Sequence, residues 1–543
     1  MKIQFLGAAR VVTGSCFLLT TSSYKILIDC GLFQGSNSLE KLNYEEFQFN
    51  PAEIDFLILS HAHIDHSGRI PKLVKEGFEG QIICTQATSD LCELMLVDSG
   101  HIQEADAKWE NKKRNRAGKP LVEPLYTAKD ATASLRYFKP VLYNQKIHIN
   151  DEVSVRFKDA GHILGSSIVE LWIMEKGKWV KLVFSGDLGL PNKPIIKDPE
   201  FIEEADYLIV ESTYGNREHE NIEDRVNDLT NIINTTVTRG GTVIIPSFAV
   251  GRTQELIYEL NKYYEYNNDI ETFMRIPIYI DSPMAVSATK IFQNNSYCFN
   301  EEAKKLILKG DNPFEFANLH YISSQEESMR LNSYTFPKVI ISASGMCNAG
   351  RIRHHLKYNL WKKSNSLVFV GYQAEGTLGR RLKDGEKNVK ILGDQIAVEA
   401  EVHSIEGFSG HTDRRGLINW IKGFNKIPKH IFIVHGEDES SLGLAEAIKD
   451  NFSINPIIPN MNTVYELDTD LIEDSTFDLV ETIKLRDNIK SELQQVYDQF
   501  EGLVTKTEKM IDEETLKKDY NLLKNNLIDL QKKLMDLNIL ISE

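Results

Sequence analysis

The residues His61-Ala62-His63-Ile64-Asp65-His66-Ser67-Gly68 come directly after the apolar run 56–59, which places them in a loop at the carboxyl end of a predicted strand. Three imidazoles and one carboxylate within six residues are too polar to be core side chains together. Imidazole nitrogens suit zinc, and the carboxylate suits a second, harder coordination sphere. The stretch therefore predicts a metal site, and the alternative is a solvated histidine-rich turn that arose by chance.

Three further segments place a potential ligand in the same setting, just after an apolar strand. Taken alone each is a weak signal, because a single histidine near a strand end is more often a hydrogen-bonded polar residue than a ligand. Taken with the first cluster, and in this order along the chain, they strongly favour one metal centre built from several loops. The segments are Gly161-His162-Ile163-Leu164-Gly165-Ser166, Ser185-Gly186-Asp187-Leu188-Gly189 and Val434-His435-Gly436-Glu437.

The composition is that of an ordinary globular protein. The 543 residues include 62 basic and 78 acidic side chains, a net charge of −16, with 42% apolar and 26% charged residues. This excludes a wholly disordered chain, a collagen and a small disulfide-framework protein. An acidic total argues against indiscriminate nucleic-acid binding but leaves room for a local basic channel.

Cysteine usage and hydropathy indicate the compartment. Six cysteines without a CxxC pair indicate reduced thiols, as in a cytoplasmic enzyme. No uncharged run reaches the roughly 18 residues of a membrane span. We therefore expect a cytoplasmic protein that does not cross a membrane.

The apolar pattern changes along the chain. Short apolar runs alternate with turns in the first part, whereas the middle alternates apolar strands with long helical segments, which indicates a parallel α/β sheet. Helices are predicted over 67–76 and 88–116. Strands are predicted at 3–7, 16–20, 25–29, 56–60, 81–84, 146–149, 153–158, 167–170, 179–185, 243–246, 278–280, 339–342, 367–371 and 431–434, with strand-like segments around Ile391 and Ala397.

Residues 469–543 differ from the rest of the chain. They hold one glycine and carry 10 basic against 17 acidic side chains. Apolar residues spaced alternately by four and three form an a/d heptad seam, which predicts a two-helix hairpin or a coiled-coil partner surface. We expect a homodimer or a partner protein to be held through this helical tail. The seam residues are Leu516, Tyr520, Leu523, Leu527, Leu530, Leu534, Leu537 and Ile541.

Over about residues 1–468 these motifs resemble the metallo-β-lactamase fold, specifically the β-CASP branch of nucleases. The resemblance includes the opening Phe5-Leu6-Gly7-Ala8-Ala9 with Thr13-Gly14-Ser15, the first motif Ile28-Asp29-Cys30-Gly31 and the metal segments above. It implies an α/β fold: a metallo-β-lactamase αββα sandwich with an inserted β-CASP α/β domain, followed here by the helical tail. Three motifs are peculiar to the branch: Glu211 in 210–215, His411 in 408–413, and His435.

The resemblance also implies a role for each motif residue. Two zinc ions per chain would be held, the first by His61, His63 and His162, the second by Asp65, His66 and His435, with Asp187 as the bridge. Asp29 would orient one of these ligands without touching a metal. Two metals about 3.5–4 Å apart can clamp the attacking and leaving oxygens of a phosphodiester. The predicted catalytic residues are Asp65, His411 and Glu211, with His411 as the acid that protonates the leaving oxygen and Glu211 as its orienting partner.

Loops at strand ends of the inserted domain offer hydroxyls, small residues and backbone N–H groups just before helices. That geometry accommodates phosphate oxygens, arginines add charge, and an aromatic ring can stack on a base. The alternative is ordinary strand-to-helix turns with caps. The predicted RNA- and phosphate-binding residues are Ser247, Phe248, Arg252, Ser282, Ser344, Gly345, Arg351, Gln373 and Thr377.

Two further groups of residues have simple structural interpretations. A basic stretch over 112–119 either tracks a nucleic-acid backbone or forms a solvated helix face, and the pattern slightly favours the solvated face. Histidines outside the motifs are predicted to be surface or packing residues. These are His101, His148, His219, His320, His403 and His430.

The resemblance implies four segments: 1–206 and 389–468 for the two parts of the metallo-β-lactamase domain, 207–388 for the inserted domain and 469–543 for the tail. His435 at the last motif resembles the RNA-processing members, because the DNA-repair members usually differ there. The overall likeness is to bacterial and archaeal relatives of the eukaryotic pre-mRNA 3′-end cleavage endonuclease.

We therefore predict a zinc-dependent ribonuclease that hydrolyses single-stranded RNA. A hydroxide activated by two metals would attack phosphorus and leave 5′-phosphate and 3′-hydroxyl ends. The balance of endonucleolytic and 5′-exonucleolytic cleavage stays open. The alternatives are another hydrolase of this fold, acting on DNA or a small ester, and a non-catalytic RNA-binding subunit.

Overall fold

The computed structural model describes residues 1–219, 225–266, 276–373, 376–405, 408 and 410–467. The tail predicted for 469–543 lies outside the described residues, so its helical seam stays a prediction. Within the described part of the chain, none of the helices combines the length and hydropathy that a bilayer crossing requires.

The first sheet consists of β1 (Lys2–Phe5), β2 (Phe17–Thr20), β3 (Lys25–Ile28), β4 (Phe56–Ile58), β5 (Gln81–Thr85), β6 (Phe138–Val141) and β21 (Val464–Glu466), numbered in chain order. Its spatial order is β21-β1-β2-β3-β4-β5-β6, and β3 to β6 run parallel. Parallel neighbours need crossover connections, which here contain helices. These are α1 (Asn37–Leu42), α2 (Ile64–Ser67), α3 (Ile70–Lys75), α4 (Gln86–Arg116) and α5 (Ala128–Ser134).

The second sheet consists of β7 (Ile147–His148), β8 (Val153–Asp159), β9 (Ser167–Glu175), β10 (Lys178–Phe184), β11 (Tyr207–Glu211) and β20 (His430–Val434). Its order is β20-β11-β10-β9-β8-β7. The hairpins β7 to β10 are antiparallel, whereas β10, β11 and β20 run parallel. The sheet is therefore completed by a strand that returns more than two hundred residues later.

The third sheet consists of β12 (Thr242–Pro246), β13 (Ile278–Asp281), β14 (Leu319–Ile322), β15 (Lys338–Ser342), β16 (Ser366–Phe369) and β19 (Glu401–Ser404), with the hairpin β17 (Asn388–Ile391) and β18 (Asp394–Ala397) beside it. The six strands are parallel in the order β14-β13-β15-β12-β16-β19. The described helices here are α6 (Arg225–Thr238), α7 (Arg252–Tyr266), α8 (Pro283–Asn294), α9 (Glu301–Leu308), α10 (Gln325–Leu331), α11 (Ile352–Asn359) and α12 (Leu378–Lys383).

The first two sheets pack face to face because their strands alternate between two cores. In β3, Ile26 and Ile28 enter the core between the sheets, whereas Leu27 enters the core on the outer side with α3 and α4. Phe17 and Phe184 meet edge to face across the sheets, with ring centroids 5.5 Å apart. Helices α13 (Arg414–Lys422) and α14 (Asp438–Phe452) cover the outer face of the second sheet. The predicted αββα sandwich with an inserted α/β domain is confirmed.

The strand pairing favours limits for the inserted domain other than the predicted 207 and 388. β11 begins at Tyr207 but lies in the second sheet, and β19 pairs with β16 in the third sheet from Ser366↔Glu401 to Phe369↔Ser404. The pattern of β19 is polar and half exposed, as an edge strand can be, so no apolar run indicates it. We propose that the insertion spans 212–404.

Candidate metal centre and active site

The predicted metal ligands all lie on loops that follow strands of the two packed sheets. These loops come after β4, β8, β10 and β20. The structure brings the side chains into two groups, in each of which the ligand atoms lie within 4.8 Å of one another. The first group is His61, His63, His162 and Asp187, and the second is Asp65, His66 and His435.

The loop after β4 supplies four of these ligands because it turns at once into a helix. His63 caps α2, so Asp65 and His66 lie on its single turn. Gly31 packs so closely that a Cβ there would lie 1.6 Å from the carbonyl oxygen of Asp65. The helix predicted over 67–76 is present as α3 but starts later than predicted, because α2 ends at Ser67 and α3 starts at Ile70.

The ring nitrogens of the first triad, His61, His63 and His162, converge. His61 Nε2 and His162 Nε2 each lie 3.1 Å from His63 Nδ1. His162 Nδ1 donates to the carbonyl of Gly410 at 3.0 Å, so a neutral ring turns the Nε2 lone pair towards its neighbours. Burial lowers the pKa of His61 and His162, and lowers the pKa of His63 to about 3. All three rings are therefore neutral at pH 7, which is the form that binds a metal.

The second triad, Asp65, His66 and His435, includes a carboxylate. His66 Nε2 lies 3.0 Å from His435 Nε2, and Asp65 Oδ2 lies 3.5 Å from that same nitrogen of His435. His435 has a φ of +52°, uncommon for a residue with a side chain, and its backbone N–H donates to the carbonyl of Ala8 at 2.7 Å. The turn after β20 is thus held by the loop after β1.

Asp187 lies between the two triads, with one oxygen towards each. Its Oδ2 is 3.4 Å from His61 Nε2 and 3.5 Å from His162 Nε2. Its Oδ1 is 3.4 Å from His66 Nε2 and 3.6 Å from His435 Nδ1. Burial alone would raise the pKa of Asp187, but the surrounding histidines outweigh it and hold this pKa well below its usual range. The carboxylate is therefore ionised, with one oxygen towards each triad, and its role as a bridge stays a prediction.

The donor set fits two divalent metal ions. Asp187 Oδ1 is buried and makes no hydrogen bond to any residue in the ranges that the structure describes. A buried polar atom without a partner costs about 1–3 kcal/mol, and more when it is charged, so a cation beside this oxygen would remove that cost. Imidazole and carboxylate ligands, three to a site with a shared carboxylate, suit zinc.

Asp29 lies behind the second triad and fixes one of its rings. The carboxylate is buried; its Oδ1 accepts the backbone N–H of Ser60 at 2.8 Å, and its Oδ2 accepts the hydroxyls of Ser15 and Ser60 at 3.0 Å. The same Oδ2 lies 2.7 Å from His66 Nδ1, which donates to it. This contact keeps the proton on Nδ1 and leaves the lone pair on Nε2 for a metal, as predicted for a residue that orients a ligand.

We expect Asp29→Asn to lower zinc affinity roughly 10–100-fold, because the amide weakens the contact that orients His66. A chelator competition titration measures this. Ser15→Ala is the matched control, since it removes one neutral hydrogen bond to the same carboxylate and should change affinity less. Wild-type zinc affinity in Asp29→Asn would contradict the assignment.

Glu211 and His411 form an acid–base pair beside Asp187. Glu211 is the last residue of β11; its Oε1 and Oε2 accept the backbone N–H groups of Leu188 at 2.7 Å and Thr213 at 3.2 Å. Both of its oxygens lie within 3.2 Å of His411 Nδ1. Burial would lower the pKa of His411, but Glu211 and Asp187 outweigh it and raise this pKa to about 9. His411 is therefore protonated at neutral pH.

Three family models match the chain. They are the Metallo-beta-lactamase superfamily over residues 9–96, the Beta-Casp domain over 253–382 and the Zn-dependent metallo-hydrolase RNA specificity domain over 395–459. Ribonuclease TTHA0252 of Thermus thermophilus is 38% identical over 448 residues, which cover 82% of this chain and 96% of the relative. This chain is a member of the β-CASP family. The prediction of a metal-dependent hydrolase of the metallo-β-lactamase fold is confirmed.

Other similar proteins include archaeal members. Transcription termination factor FttA of Methanocaldococcus jannaschii is 32% identical over 471 residues, covering 84% of this chain and 70% of that protein. The factor of the same name from Methanosarcina mazei is 33% identical over 476 residues, covering 86% and 71%. The relatives that this chain resembles thus include a protein named as a ribonuclease and proteins named as transcription termination factors.

One residue that the sequence interpretation assigned to surface or packing contacts the predicted acid. His219 Nε2 donates to the backbone carbonyl of His411 at 3.0 Å, and its backbone N–H donates to Asp413 at 3.0 Å. The ring of Tyr214 packs edge-on against His219, with centroids 4.8 Å apart. The available signal is its place eight residues after Glu211, four residues beyond the motif 210–215.

The loops of the β-CASP domain show how far the phosphate-binding interpretation goes. Arg252 forms an ion pair with Glu255, and Arg351 donates to Asp281 at 2.7 Å, so both guanidinium groups have partners within the fold. Ser282 accepts a backbone N–H at the start of α8. These contacts support the alternative of capped turns for these residues.

The remaining predicted RNA- and phosphate-binding residues also make contacts within the fold, with one exception. Thr377 caps α12, and the Gln373 amide donates to the carbonyl of Gly345 at 3.0 Å. Ser247 accepts from the Thr253 hydroxyl at 3.0 Å, and Ser344 bonds the backbone of Ala349 at 3.3 Å. Phe248 differs, since 42% of it is exposed, and its loop runs near the loop of His162: a Cβ added to Gly251 would lie 3.2 Å from the side chain of Ile163. Stacking of a base on Phe248 stays a prediction.

Proposed function

We propose that this β-CASP protein is a zinc-dependent ribonuclease that hydrolyses single-stranded RNA. The observation that carries the proposal is the joint placement of two metal-ligand triads, one bridging carboxylate and one protonated imidazole at a single site. His411 Nε2 lies 3.8 Å from Asp187 Oδ2, so the acid faces the bridge. A matching RNA specificity domain and a relative named as a ribonuclease support RNA as the substrate class.

Seven residues would hold the two zinc ions with the division already described. When bound, the ions supply Lewis acidity towards phosphoryl oxygens and a water molecule ionised at neutral pH. The side chain of Asp65 is 20% exposed. It therefore faces the space in which the substrate and the attacking water must meet.

His411 acts on the other side of the phosphorus. Its Nδ1–H is held by Glu211, so the proton available for transfer is on Nε2. The leaving 3′-oxygen of a phosphodiester is a poor leaving group unless it is protonated, and a positioned imidazolium that stays protonated at neutral pH can supply that proton. After the transfer His411 is neutral and keeps its Nδ1–H bond to Glu211. The products are a 3′-hydroxyl and a 5′-phosphate, because water and not the ribose attacks.

We expect unstructured RNA to be cleaved faster than blunt duplex RNA of the same sequence and faster than matched single-stranded DNA. Five of the seven ligands are buried and the other two, His63 and Asp65, are half-buried, so a single strand can reach them where a stiff duplex cannot. End-labelled substrates, with and without a chelator, provide the measurement, and zinc should restore activity after chelation. Equal cleavage of the duplex, or faster cleavage of the DNA, would contradict the proposal.

We also propose that the tail mediates self-association. The heptad seam of residues 516–541 leaves apolar side chains that need a second helix to cover them. Deletion of residues 470–543 should lower the assembly mass in solution while the zinc content stays the same. Light scattering tests this, and an unchanged number of chains per particle would show that the tail does not join chains.

A further inference from the structure

The second half of α4 projects from the body. None of residues 101–121 is buried. The chain then returns along the helix: the Asn111 side chain exchanges two hydrogen bonds of 2.8 Å with the backbone of Val122, and Arg114 donates to the carbonyl of Pro120 at 3.2 Å. We call residues 101–124 the α4 arm. Its return segment is pinned, so the arm has a defined shape.

Basic side chains predominate on one face of this helix, at whose edge Lys113 Nζ lies 3.9 Å from Glu110 Oε2. At about 100° per residue, a face of about 140° runs from Lys108 to Lys113 and contains no acidic residue. The acidic side chains Glu104, Asp106 and Glu110 lie outside it. The basic residues of the face are Lys108, Lys112, Lys113 and Arg116, all exposed. Residues 108–119 hold six basic residues and one acidic residue, a net charge of +5 within a chain of −16.

An aromatic ring stands in the middle of this basic face. Trp109 is 61% exposed, and Lys113 Nζ lies 3.2 Å from its ring centroid. The exposed ring of Trp109 thus leaves an aromatic surface among the cations of this face. A base has a π-face that can stack on such a ring, and phosphates match the surrounding cations.

The position of the arm fits a polymer held at the metal centre. α4 starts beside that centre, where Thr88 donates to the carbonyl of Gly165, three residues after His162, at 2.8 Å. It then extends for 31 residues, about 46 Å at 1.5 Å per residue. A lipid surface fits less well, because Ile102 and Trp109 are the large apolar residues of the face and membrane-bound helices carry a wide apolar face.

We infer that the α4 arm is a second binding surface for single-stranded RNA, separate from the metal centre. Lys108, Lys112, Lys113 and Arg116 contact phosphates, and Trp109 stacks on a base. This inference rests on the proposed function, since it assumes that the chain which enters the centre is RNA. An RNA that spans both surfaces binds more tightly than one that reaches the centre alone.

The test compares a 30-nucleotide with a 6-nucleotide oligouridylate on the full chain. The variants are Trp109→Ala and the triple change Lys108→Gln, Lys112→Gln and Lys113→Gln. The matched control is Lys305→Gln, Lys309→Gln and Lys363→Gln, three exposed lysines elsewhere. The triple variant should raise KM for the long RNA at least tenfold and leave kcat and both constants of the short RNA unchanged. The slope of log(kcat/KM) against log[salt] for the long RNA should become shallower by about 2, which is about 0.7 for each lost phosphate contact.

Trp109→Ala should raise KM for the long RNA roughly tenfold. Trp109→Phe keeps an aromatic ring, so its KM should lie close to the wild-type value. The inference would be overturned if the arm variants kept the wild-type KM, if KM rose equally for both RNAs, or if the control variant showed the same rise in KM. Fluorescence anisotropy of the labelled 30-mer gives a second reading that needs no cleavage. If the wild type cleaves neither RNA, the proposed function fails, and anisotropy still decides the arm. The inference would also be overturned if the arm bound phosphatidylserine vesicles while the arm variants bound RNA as the wild type does.

Discussion

Replacing His411 with alanine is expected to lower kcat roughly 10²–10⁴-fold, the usual worth of general acid catalysis, while both zinc ions and RNA affinity are retained. His411 is linked to Glu211 through Nδ1 and faces Asp187 through Nε2, and its raised pKa keeps it protonated. Single-turnover cleavage rates and elemental analysis on the same sample measure the two effects. Loss of a zinc ion would make His411 a ligand, which its distance to the Asp187–His435 group also permits.

Glu211→Gln is the matched partner of that variant. The Glu211 carboxylate raises the pKa of His411, so its removal should lower this pKa. A general acid works only when protonated, and the alkaline limb of kcat/KM should therefore move to lower pH in Glu211→Gln, with a smaller loss of rate than in His411→Ala. His411→Ala should lack that limb. An alkaline limb that stays in place in both variants would show that another group supplies the proton.

Replacing Asp187 with alanine is expected to abolish hydrolysis and to lower zinc content. The side chain has one oxygen towards each triad, so its loss removes a ligand from both sites and leaves their histidines facing one another. His63→Ala should act similarly through the first triad alone. Asp438→Ala is the control, since this carboxylate lies close to His435 in the chain but pairs with Arg10 at the surface. Full zinc content in purified Asp187→Ala would contradict the bridging role.

The convergence of the candidate ligands could be predicted from local rules, whereas their assignment to two metals rests on the family resemblance and stays a prediction. A polar cluster directly after an apolar strand lies at the end of that strand, and the strand ends of a sandwich share an edge. The sequence therefore predicts that His61, His162, Asp187 and His435 are neighbours, before the packing of the strands is known. The same rules give the strands and the two kinds of sheet. Even Asp29 follows from its place after β3 and the family motif.

The rest depends on contacts between distant segments. The ion pair of Arg351 with Asp281 joins residues 70 positions apart, and the bond of His219 to His411 joins residues 192 apart. A charged or hydroxyl side chain that the sequence suggests as a ligand contact is thus already paired with a residue that lies far from it in the sequence. The edge strand β19 is missed for a related reason, because its pairing with β16 and the packing of a single apolar residue, Val402, hold it.

The measurement that bears most directly on zinc-dependent hydrolysis of RNA is product analysis in H₂¹⁸O. The wild-type protein with zinc is incubated with an unstructured RNA, and the ends of the fragments are identified by mass spectrometry. Attack by water predicts one ¹⁸O atom in the 5′-phosphate of the downstream fragment and an unlabelled 3′-hydroxyl on the upstream fragment. A 2′,3′-cyclic phosphate with an unlabelled 5′-hydroxyl would contradict the account, because the ribose would then be the nucleophile.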